Sequence, residues 1–391
     1  MTEHPFGRHN LAYGTAVLDG APRLVVRMDD DVVDLATACA ALRPDLVELV
    51  DAAVLNPLLE AGPESWRALR TAVRAWHDDD LASYRRPLAG LELRLPFEVA
   101  DYVDFYASEH HATNVGRLFR PDGEPLTPNW KHLPIGYHGR SGTVVVSGTD
   151  IVRPAGQLRT RAAPRFGPSE RLDFEAEIGF VLGNATERAH PIPLEQAREH
   201  IFGMCLVNDW SARDIQAWET VPLGPFLGKS FATSLSAWVV PLDAFDDARV
   251  RPPDRDESLL PYLDDARLEP WGFDVELTVE LNGIPISRPP FASMYWTAAQ
   301  MLAHMTVNGA SLRAGDLFAS GTVSGAHEGQ LGSLLELSRG GTEPLRLADG
   351  TERGFLLDGD EVVIRASVPA RESRPELGLG EVRGRILPHA R

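Results

Sequence analysis

The sequence predicts a mainly β fold of the α+β class, with a small N-terminal domain and a large C-terminal domain of mixed β structure. The chain has 391 residues, which exceeds the usual size of a single domain. Beyond residue 96, short strand-like runs are separated by Gly and Pro, and helical runs are too few for a βαβ pattern. We therefore expect domains at residues 1–97 and 98–391.

Each element is expected where the hydrophobic pattern has the period of a strand or of a helix. In the N-terminal domain the predicted strands span 10–18, 23–28 and 31–35, and the predicted helices span 44–55 and 63–77. In the C-terminal domain the predicted strands span 144–146, 173–182, 204–208, 237–240, 274–281, 316–320 and 361–366. The helices expected there span 194–200, 209–219 and 295–304.

Composition excludes several classes of function. The formal net charge of −18 argues against nucleic acid or an anionic membrane surface as a partner, because such binding needs a basic patch. No apolar run is long enough to span a membrane, and the first residues lack the pattern of a signal peptide, so we expect a cytoplasmic protein. Cys39 and Cys205 lie in apolar surroundings and are expected to be buried free thiols.

Residues 172–182 alternate apolar and acidic side chains with the period of a strand. The pattern projects Asp173, Glu175 and Glu177 from one face, with the Cα atoms of the two glutamates about 6.6 Å apart. Neighbouring carboxylates repel unless a cation lies between them, and Ca²⁺ or Mg²⁺ takes such oxygen ligands. The alternative is an edge strand whose acidic face is solvated.

A second group of polar residues follows the predicted strand 204–208. Asp209, Arg213 and Gln216 have the i, i+4, i+7 spacing that places side chains on one helical face, although Asp209 is equally suited to an N-cap. Lys229 follows in a loop rich in Gly and Pro. Because the chain otherwise uses Arg almost throughout, with Lys only at positions 131 and 229, the loop is expected to need a compact ammonium group.

Residues 101–114 add an acid, a tyrosine and a histidine within a short span. His111 carries an imidazole that changes charge near neutral pH and is suited to general-base catalysis. The neighbouring His110 makes a transition-metal pair a second interpretation. No HExxH, CxxC or GxSxG pattern is present, and the acids favour a hard cation.

Several motifs resemble the fumarylacetoacetate hydrolase family. They lie at residues 104–106, 111–116, 134–140, 208–216, 222–231, 294–296 and 315–325, and residues 10–14 also match, so the resemblance covers nearly the whole chain. It implies an SH3-like β-barrel as the small N-terminal domain and a mixed β-roll of the family type as the large one. It also implies a homodimer.

The resemblance implies a role for individual residues. The divalent cation, Ca²⁺ or Mg²⁺ or both, would be held by Asp104, Glu175, Glu177 and Asp209, and a second ion would lie near Lys229 and Thr233. The reaction would use His111 as base, Glu336 to orient it, and Arg213, Gln216 and Lys229 to stabilise an oxyanion. Substrate contacts would come from Tyr106, Arg120, Tyr137, Gln216, Thr220 and Thr322, although the family pattern has a tyrosine where this chain has Thr220.

The implied reaction is hydrolysis of the carbon–carbon bond of 4-fumarylacetoacetate to fumarate and acetoacetate, the last step of tyrosine and phenylalanine breakdown. The substrate class is a small 1,3-diketo acid. A related 3-acylpyruvate hydrolase or oxo-acid decarboxylase on the same scaffold is the alternative, and Thr220 is the residue that favours it. A noncatalytic dimer module stabilised by Ca²⁺ is a third interpretation, which leaves His111 and Glu336 without a purpose.

Overall fold

The computed structural model describes residues 3–390 and has a mixed α+β fold dominated by strands. In chain order the strands are β1 (Tyr13–Leu18), β2 (Ala21–Met28), β3 (Asp31–Asp34), β4 (Arg85–Pro87), β5 (Leu93–Arg94), β6 (Tyr102–Phe105), β7 (Gly136–His138), β8 (Val144–Val146), β9 (Ile151–Val152), β10 (Ala155–Leu158), β11 (Arg165–Pro168), β12 (Leu172–Asp173), β13 (Ala176–Leu182), β14 (Ile201–Asp209), β15 (Ser211–Ala212), β16 (Thr233–Leu235), β17 (Trp238–Pro241), β18 (Arg249–Val250), β19 (Gly272–Phe273), β20 (Glu276–Leu281), β21 (Ile284–Ser287), β22 (Leu317–Ala319), β23 (Leu345–Arg346), β24 (Glu352–Arg353), β25 (Glu361–Val368) and β26 (Leu377–Leu387).

The helices are short and lie between groups of strands. The α-helices are α1 (Leu35–Leu42), α2 (Val47–Val50), α3 (Asn56–Glu60), α4 (Gly62–Ala75), α5 (Asp78–Leu81), α6 (Glu109–Phe119), α7 (Ala197–His200), α8 (Arg213–Glu219), α9 (Ala298–Thr306) and α10 (Leu334–Leu337). Short 3₁₀ helices span Pro44–Leu46, Ser141–Thr143, Leu194–Gln196, Leu242–Ala248, Pro261–Leu263, Phe291–Ser293 and Glu328–Gln330. None of the helices within residues 3–390 is long and apolar enough to cross a membrane.

One 13-stranded sheet contains strands from both predicted domains. Its main path runs β4-β3-β2-β1-β17-β14-β13-β22-β6-β7. The N-terminal strands enter it where β1 pairs with β17, with Tyr13 opposite Val239. The expected SH3-like barrel is therefore not confirmed, because over residues 3–390 the N-terminal strands continue an open path rather than close on themselves. The boundary between residues 97 and 98 stays a prediction.

Both faces of this sheet are covered, which explains why its acidic residues are buried. Ile178 and Phe180 of β13 belong to one hydrophobic cluster, whereas Val181 belongs to a second cluster built largely from the N-terminal segment. Helix α4 contributes Trp66, whose ring meets Phe202 of β14 edge-on at 5.3 Å between centroids. A strand buried on both faces cannot present a solvated row of carboxylates, so the interpretation of 172–182 as an edge strand is wrong.

The predicted elements differ from the observed ones where tertiary contacts intervene. The predicted helix 44–55 stops at Val50, because the carbonyl groups of Ala52 and Ala53 accept hydrogen bonds from Leu24 and Thr15 instead. The predicted strand 173–182 is interrupted after Asp173. The predicted strand 144–146 is confirmed. Strand β26, with 11 residues, was not predicted because its glycines mask the alternation.

Candidate active site

Four acidic side chains meet at the centre of the large sheet. Glu177 lies in β13, Glu175 immediately precedes that strand, and Asp209 ends β14. Asp104 comes from β6, two strands away, where it is aligned with Ala319 of β22 and then with Gly179 of β13. Residues aligned across neighbouring strands project from the same face of a sheet, and Glu177 lies two residues before Gly179, so Asp104 and Glu177 share a face.

The four carboxylates form one buried group. Oxygen atoms from all four lie within 4.8 Å of one another. Their exposed fractions are small: Asp104 2%, Glu175 4%, Glu177 0% and Asp209 0%. The structure thus brings together the four residues that the family resemblance assigned to a metal site, although they come from three segments far apart in the chain.

Two cations lie beside the carboxylate group. Lys229 contacts Glu175 through its Nζ atom and donates to Asp209 Oδ2 at 2.8 Å. Arg213 Nη2 lies 2.7 Å from Glu175 Oε1. Burial opposes ionisation of Glu175, but the charges of Lys229 and Arg213 outweigh it and hold the pKa of Glu175 below its usual range. Burial also opposes the charge on Lys229, and Asp209 and Glu175 reverse that effect and raise its pKa.

For Glu177 and Asp104, neighbouring positive charges do not outweigh the effect of burial. Burial and then the neighbouring Asp104 raise the pKa of Glu177 well above its usual range, and burial followed by Asp209 does the same to the pKa of Asp104. Within residues 3–390, both Glu177 oxygens and Asp104 Oδ1 are buried without a hydrogen-bond partner. Buried unpaired carboxylates of this kind are costly, and the all-oxygen donor set is the one that Ca²⁺ and Mg²⁺ prefer. The site therefore fits a divalent cation.

A histidine and a glutamate form a pair beside this group. His111 lies in the first turn of α6, where its N–H donates to the N-cap hydroxyl of Ser108 at 3.2 Å. Its Nδ1 lies 2.7 Å from Oε2 of Glu336, and the two side chains are 4% and 0% exposed. Because Glu336 engages Nδ1, the Nε2 atom of the ring remains for a reacting group.

The Glu336 carboxylate accepts further hydrogen bonds from three residues that the sequence analysis missed. Asn114 Nδ2 donates to Oε1 at 2.9 Å, and the hydroxyls of Ser324 and Ser333 donate to Oε2 at 2.9 and 2.8 Å. Burial opposes the charge of Glu336, but His111, Asn114 and Ser333 outweigh it and hold the pKa of Glu336 below its usual range. No local sequence signal could have found these donors, because the contacts span up to 222 residues of chain.

Comparison with known proteins decides the family. Residues 101–387 match the family described as "Fumarylacetoacetate (FAA) hydrolase C-terminal". The chain is 43% identical to the fumarylacetoacetase of Bos taurus and 44% identical to that of Rattus norvegicus, each over 98% of this chain and 96% of the relative. The chain belongs to the fumarylacetoacetate hydrolase family. Its fold is similar to that of a fumarylacetoacetate hydrolase from Exiguobacterium antarcticum, with a TM-score of 0.57 and 17% identity over 97% of this chain and 99% of that one.

Several residues that the family resemblance assigned to substrate lie next to the two groups described above. Tyr106 meets the His111 ring edge-on, with 5.3 Å between ring centroids. The hydroxyl of Tyr137 donates to Asp209 Oδ2 at 2.9 Å. Thr322 is 2% exposed and, among the described residues, its hydroxyl has no hydrogen-bond partner. Gln216 is joined to the site through its Oε1, which accepts from Arg213 Nη1 at 3.2 Å.

Other residues that the fumarylacetoacetate hydrolase resemblance assigned to the site lie at its margin. Arg120 is exposed after the end of α6, and its guanidinium donates to the carbonyl of Pro125 at 2.5 Å. The Thr220 hydroxyl donates to the Gln216 carbonyl at 2.6 Å and thus serves the end of α8. Thr233 donates to Asp209 Oδ1 at 3.2 Å, so it joins the site as a partner of a carboxylate.

The predicted helix 209–219 is wrong at its start, and the correction changes how the site is built. Asp209 is the last residue of β14, and α8 begins at Arg213. The helical spacing of Asp209 and Arg213 therefore did not bring them together, and Asp209 is no N-cap. Between β14 and α8 the short strand β15 pairs with β12, and Arg213, which follows β15, contacts Glu175.

Proposed function

We propose that this chain hydrolyses the carbon–carbon bond of 4-fumarylacetoacetate to give fumarate and acetoacetate. One observation carries the proposal: in a chain over 40% identical to fumarylacetoacetases, the buried pair of His111 and Glu336 stands beside a group of four carboxylates. A base and a cation site are the two devices that attack of water on a ketone requires near neutral pH.

His111 is the proposed general base. With Nδ1 held by Glu336 at 2.7 Å, the ring can accept the proton of a water molecule at Nε2 and the carboxylate can stabilise the imidazolium that results. The same imidazolium can return its proton to the carbon that leaves as acetoacetate. Glu336 acts through His111, since its own oxygens are occupied by four donors.

The proposed stabilisation of negative charge comes from three donors around the carboxylates. Arg213, Gln216 and Lys229 are held in place by contacts with Glu175, Asp209 and one another. Such donors need no reorganisation when alkoxide charge develops, and losing one typically costs about 10²-fold or more in rate. Tyr106, Tyr137 and Arg120 are proposed to position the substrate carboxylate.

Asp104, Glu175, Glu177 and Asp209 are proposed to hold a divalent cation, Ca²⁺ or Mg²⁺. When bound, such an ion supplies Lewis-acid polarisation of the diketone oxygens. The carboxylates are proposed to stay ionised around it. The second ion predicted near Lys229 and Thr233 stays a prediction, and the Lys229 ammonium has no lone pair to offer a metal while it pairs with Glu175 and Asp209.

The test follows loss of the diketone absorbance of fumarylacetoacetate with purified protein, with and without a chelator. We expect activity that the chelator removes and that Ca²⁺ or Mg²⁺ restores. His111→Ala should bind the cation and lose turnover, because it lacks the base. His110→Ala is the matched control, since His110 is half-buried, makes no hydrogen bond with His111 or Glu336 among the described residues, and should retain turnover. Absence of activity in the wild-type protein, or full turnover in His111→Ala, would refute the proposal.

The same assay separates the alternative reactions. Acylpyruvates and oxaloacetate-like acids serve as competing substrates, and the ratio of kcat/KM values identifies the preferred one. Thr220 was the residue that favoured the alternative, but its hydroxyl is occupied by a backbone carbonyl of its own helix. We therefore expect kcat/KM to be higher for fumarylacetoacetate than for the competing substrates.

We further propose a homodimer, as the family resemblance implied. The loop 221–227 exposes four large apolar side chains: Val221 85%, Leu223 96%, Phe226 64% and Leu227 49%. Apolar side chains gathered in this way are typical of a protein interface. Light scattering after size exclusion should give twice the chain mass, and Leu223→Asp should give the monomer. Leu357→Asp, at another exposed leucine, is the control and should remain a dimer.

A further inference from the structure

Asp173 is the third acid of the alternating run, and neither the carboxylate group nor the His111 pair includes it. It is 0% exposed and lies two residues before Glu175. Its carboxylate contacts Arg213, which begins α8, and the first residues of α10. A buried carboxylate without a function would be expensive to maintain, so its partners indicate what it does.

One oxygen of Asp173 accepts hydrogen bonds from the backbone of two separate segments. Oδ1 accepts from the N–H groups of Phe174 and Leu334, both at 2.8 Å. Oδ2 accepts from the N–H of Leu335 at 3.1 Å. Leu334 and Leu335 begin α10, the helix that carries Glu336. Ser333 satisfies the next N–H, so Asp173 and Ser333 together hold the first turn of that helix.

Oδ2 of Asp173 also binds Arg213. The guanidinium approaches with Nε at 2.8 Å and Nη2 at 2.8 Å, and the same Nη2 reaches Glu175. These contacts use one edge of the guanidinium and leave Nη1 directed to Gln216. A single carboxylate therefore fixes both the arginine proposed to receive oxyanion charge and the helix whose glutamate orients His111.

We propose that Asp173 is a positioning residue that sets the distance between the oxyanion donors and the general base. The inference rests on the proposed function, because that reaction is what needs both groups at one substrate. In the Asp173→Asn variant an amide NH₂ would face the N–H of Leu335 and the Nε–H of Arg213, so donors would meet donors. Arg213 and the helix that carries Glu336 would then no longer be held by the same carboxylate.

The experiment measures kcat, KM and the pH profile of kcat/KM for metal-loaded wild type, Asp173→Asn and a matched control. Asp360→Asn is that control, because Asp360 is also buried, binds an arginine, Arg353, and accepts the backbone N–H of Leu357. We expect Asp173→Asn to lose about 10²-fold in kcat with little change in KM, as for misplaced catalytic groups in general. The acid limb of the kcat/KM profile of Asp173→Asn should move to lower pH, because a displaced Glu336 stabilises protonated His111 less.

Asp360→Asn should lower stability and leave the kinetics of the folded enzyme and the pH profile as in wild type. The double variant Asp173→Asn/Glu336→Gln should be little slower than Glu336→Gln alone, because both changes disable one unit. A kcat of Asp173→Asn that falls only with the folded fraction, with an unmoved acid limb, overturns the inference and leaves the proposed function intact. An inactive wild-type enzyme overturns both.

A second measurement covers the case in which Asp173→Asn does not fold. Arg213→Gln removes the guanidinium that anchors Oδ2 of Asp173, so the carboxylate is less firmly placed and its hydrogen bonds to Leu334 and Leu335 are weakened. Amide hydrogen exchange in residues 331–338 should then be faster than in wild type, and Gln216→Ala should leave it unchanged. Equal exchange in Arg213→Gln and wild type overturns the inference.

Discussion

Replacing Glu336 by Gln tests the central pair of the site with the least change in shape. Glu336 Oε2 accepts from His111 Nδ1 at 2.7 Å and from the hydroxyls of Ser324 and Ser333, whereas Oε1 accepts from Asn114. The glutamine oxygen can take the place of Oε2. Its NH₂ group would then face the NH₂ of Asn114, and the negative charge beside His111 would be lost.

The size of the effect follows from the contact distance. With 2.7 Å between Nδ1 and Oε2, the centres of charge of an imidazolium and a carboxylate lie about 4 Å apart, and at an effective dielectric constant of about 20 they attract by about 4 kcal/mol. If that attraction is present only when His111 has taken a proton, its loss lowers kcat by about 10³-fold. KM should change much less, because the proposed substrate contacts remain.

Initial rates of diketone loss at saturating and limiting substrate give kcat and kcat/KM separately. Glu328→Gln is the control, since Glu328 is exposed and pairs with Arg339 at the surface. Circular dichroism and the melting temperature show whether each variant is folded. A kcat for Glu336→Gln equal to that of Glu328→Gln would refute the assignment of Glu336 to the base.

Two further predictions concern the cation and pH. A cation present at about 100 times its Kd should stabilise the wild-type protein by about 2.7 kcal/mol, and Glu177→Gln should lose most of that gain because an amide replaces a ligand carboxylate. Burial lowers the pKa of His200 and of His304 in the folded protein. Because protons then bind more tightly to the unfolded chain, stability should be full above the ordinary histidine pKa of about 6.5 and should fall as pH drops below it.

The cation prediction and the pH prediction are tested by separate measurements. For the cation, melting is followed with and without added Ca²⁺ or Mg²⁺, and Glu276→Gln, an exposed glutamate, should keep the full gain. Equal gains in Glu177→Gln and wild type would contradict the ligand assignment. For pH, urea unfolding is compared between about pH 7.5 and about pH 5.5. His200→Gln/His304→Gln should flatten the dependence, and a double variant with the wild-type slope would show that other groups cause it.

Many of the strands could be predicted from the sequence, because the alternation of apolar and polar residues indicates which side chains are buried. The run 172–182 was predicted as a strand and β13 occupies most of it, with Ile178 and Phe180 in the core as expected. The environment of the acidic side chains in this run could not be predicted from the alternation. A period of two says only that Glu175 and Glu177 share a face, and it is equally compatible with solvent, with a cation or with a second layer of protein.

The position of Asp209 shows a second limit. Its spacing from Arg213 suggested one continuous helix, but β14 continues to Asp209 because that strand is paired on both sides, with β13 and with β16. Hydrogen bonds to neighbouring strands thus override a local helical pattern. Arg213 still contacts Glu175, and Asp209 is joined to Glu175 through Lys229 Nζ, so the reason differs from the one that the spacing suggested.

By itself the sequence determined the class of fold, most of the strands, and, through its family motifs, which residue types belong to the site. Only the tertiary structure decided that Asp104 lies beside Glu177 although β22 separates their strands, that Glu336 meets His111 from 225 positions away, and that Asp173 binds the first turn of α10. The physical reason is that local patterns record burial and backbone preference, whereas a site depends on the register between strands and on packing between distant segments.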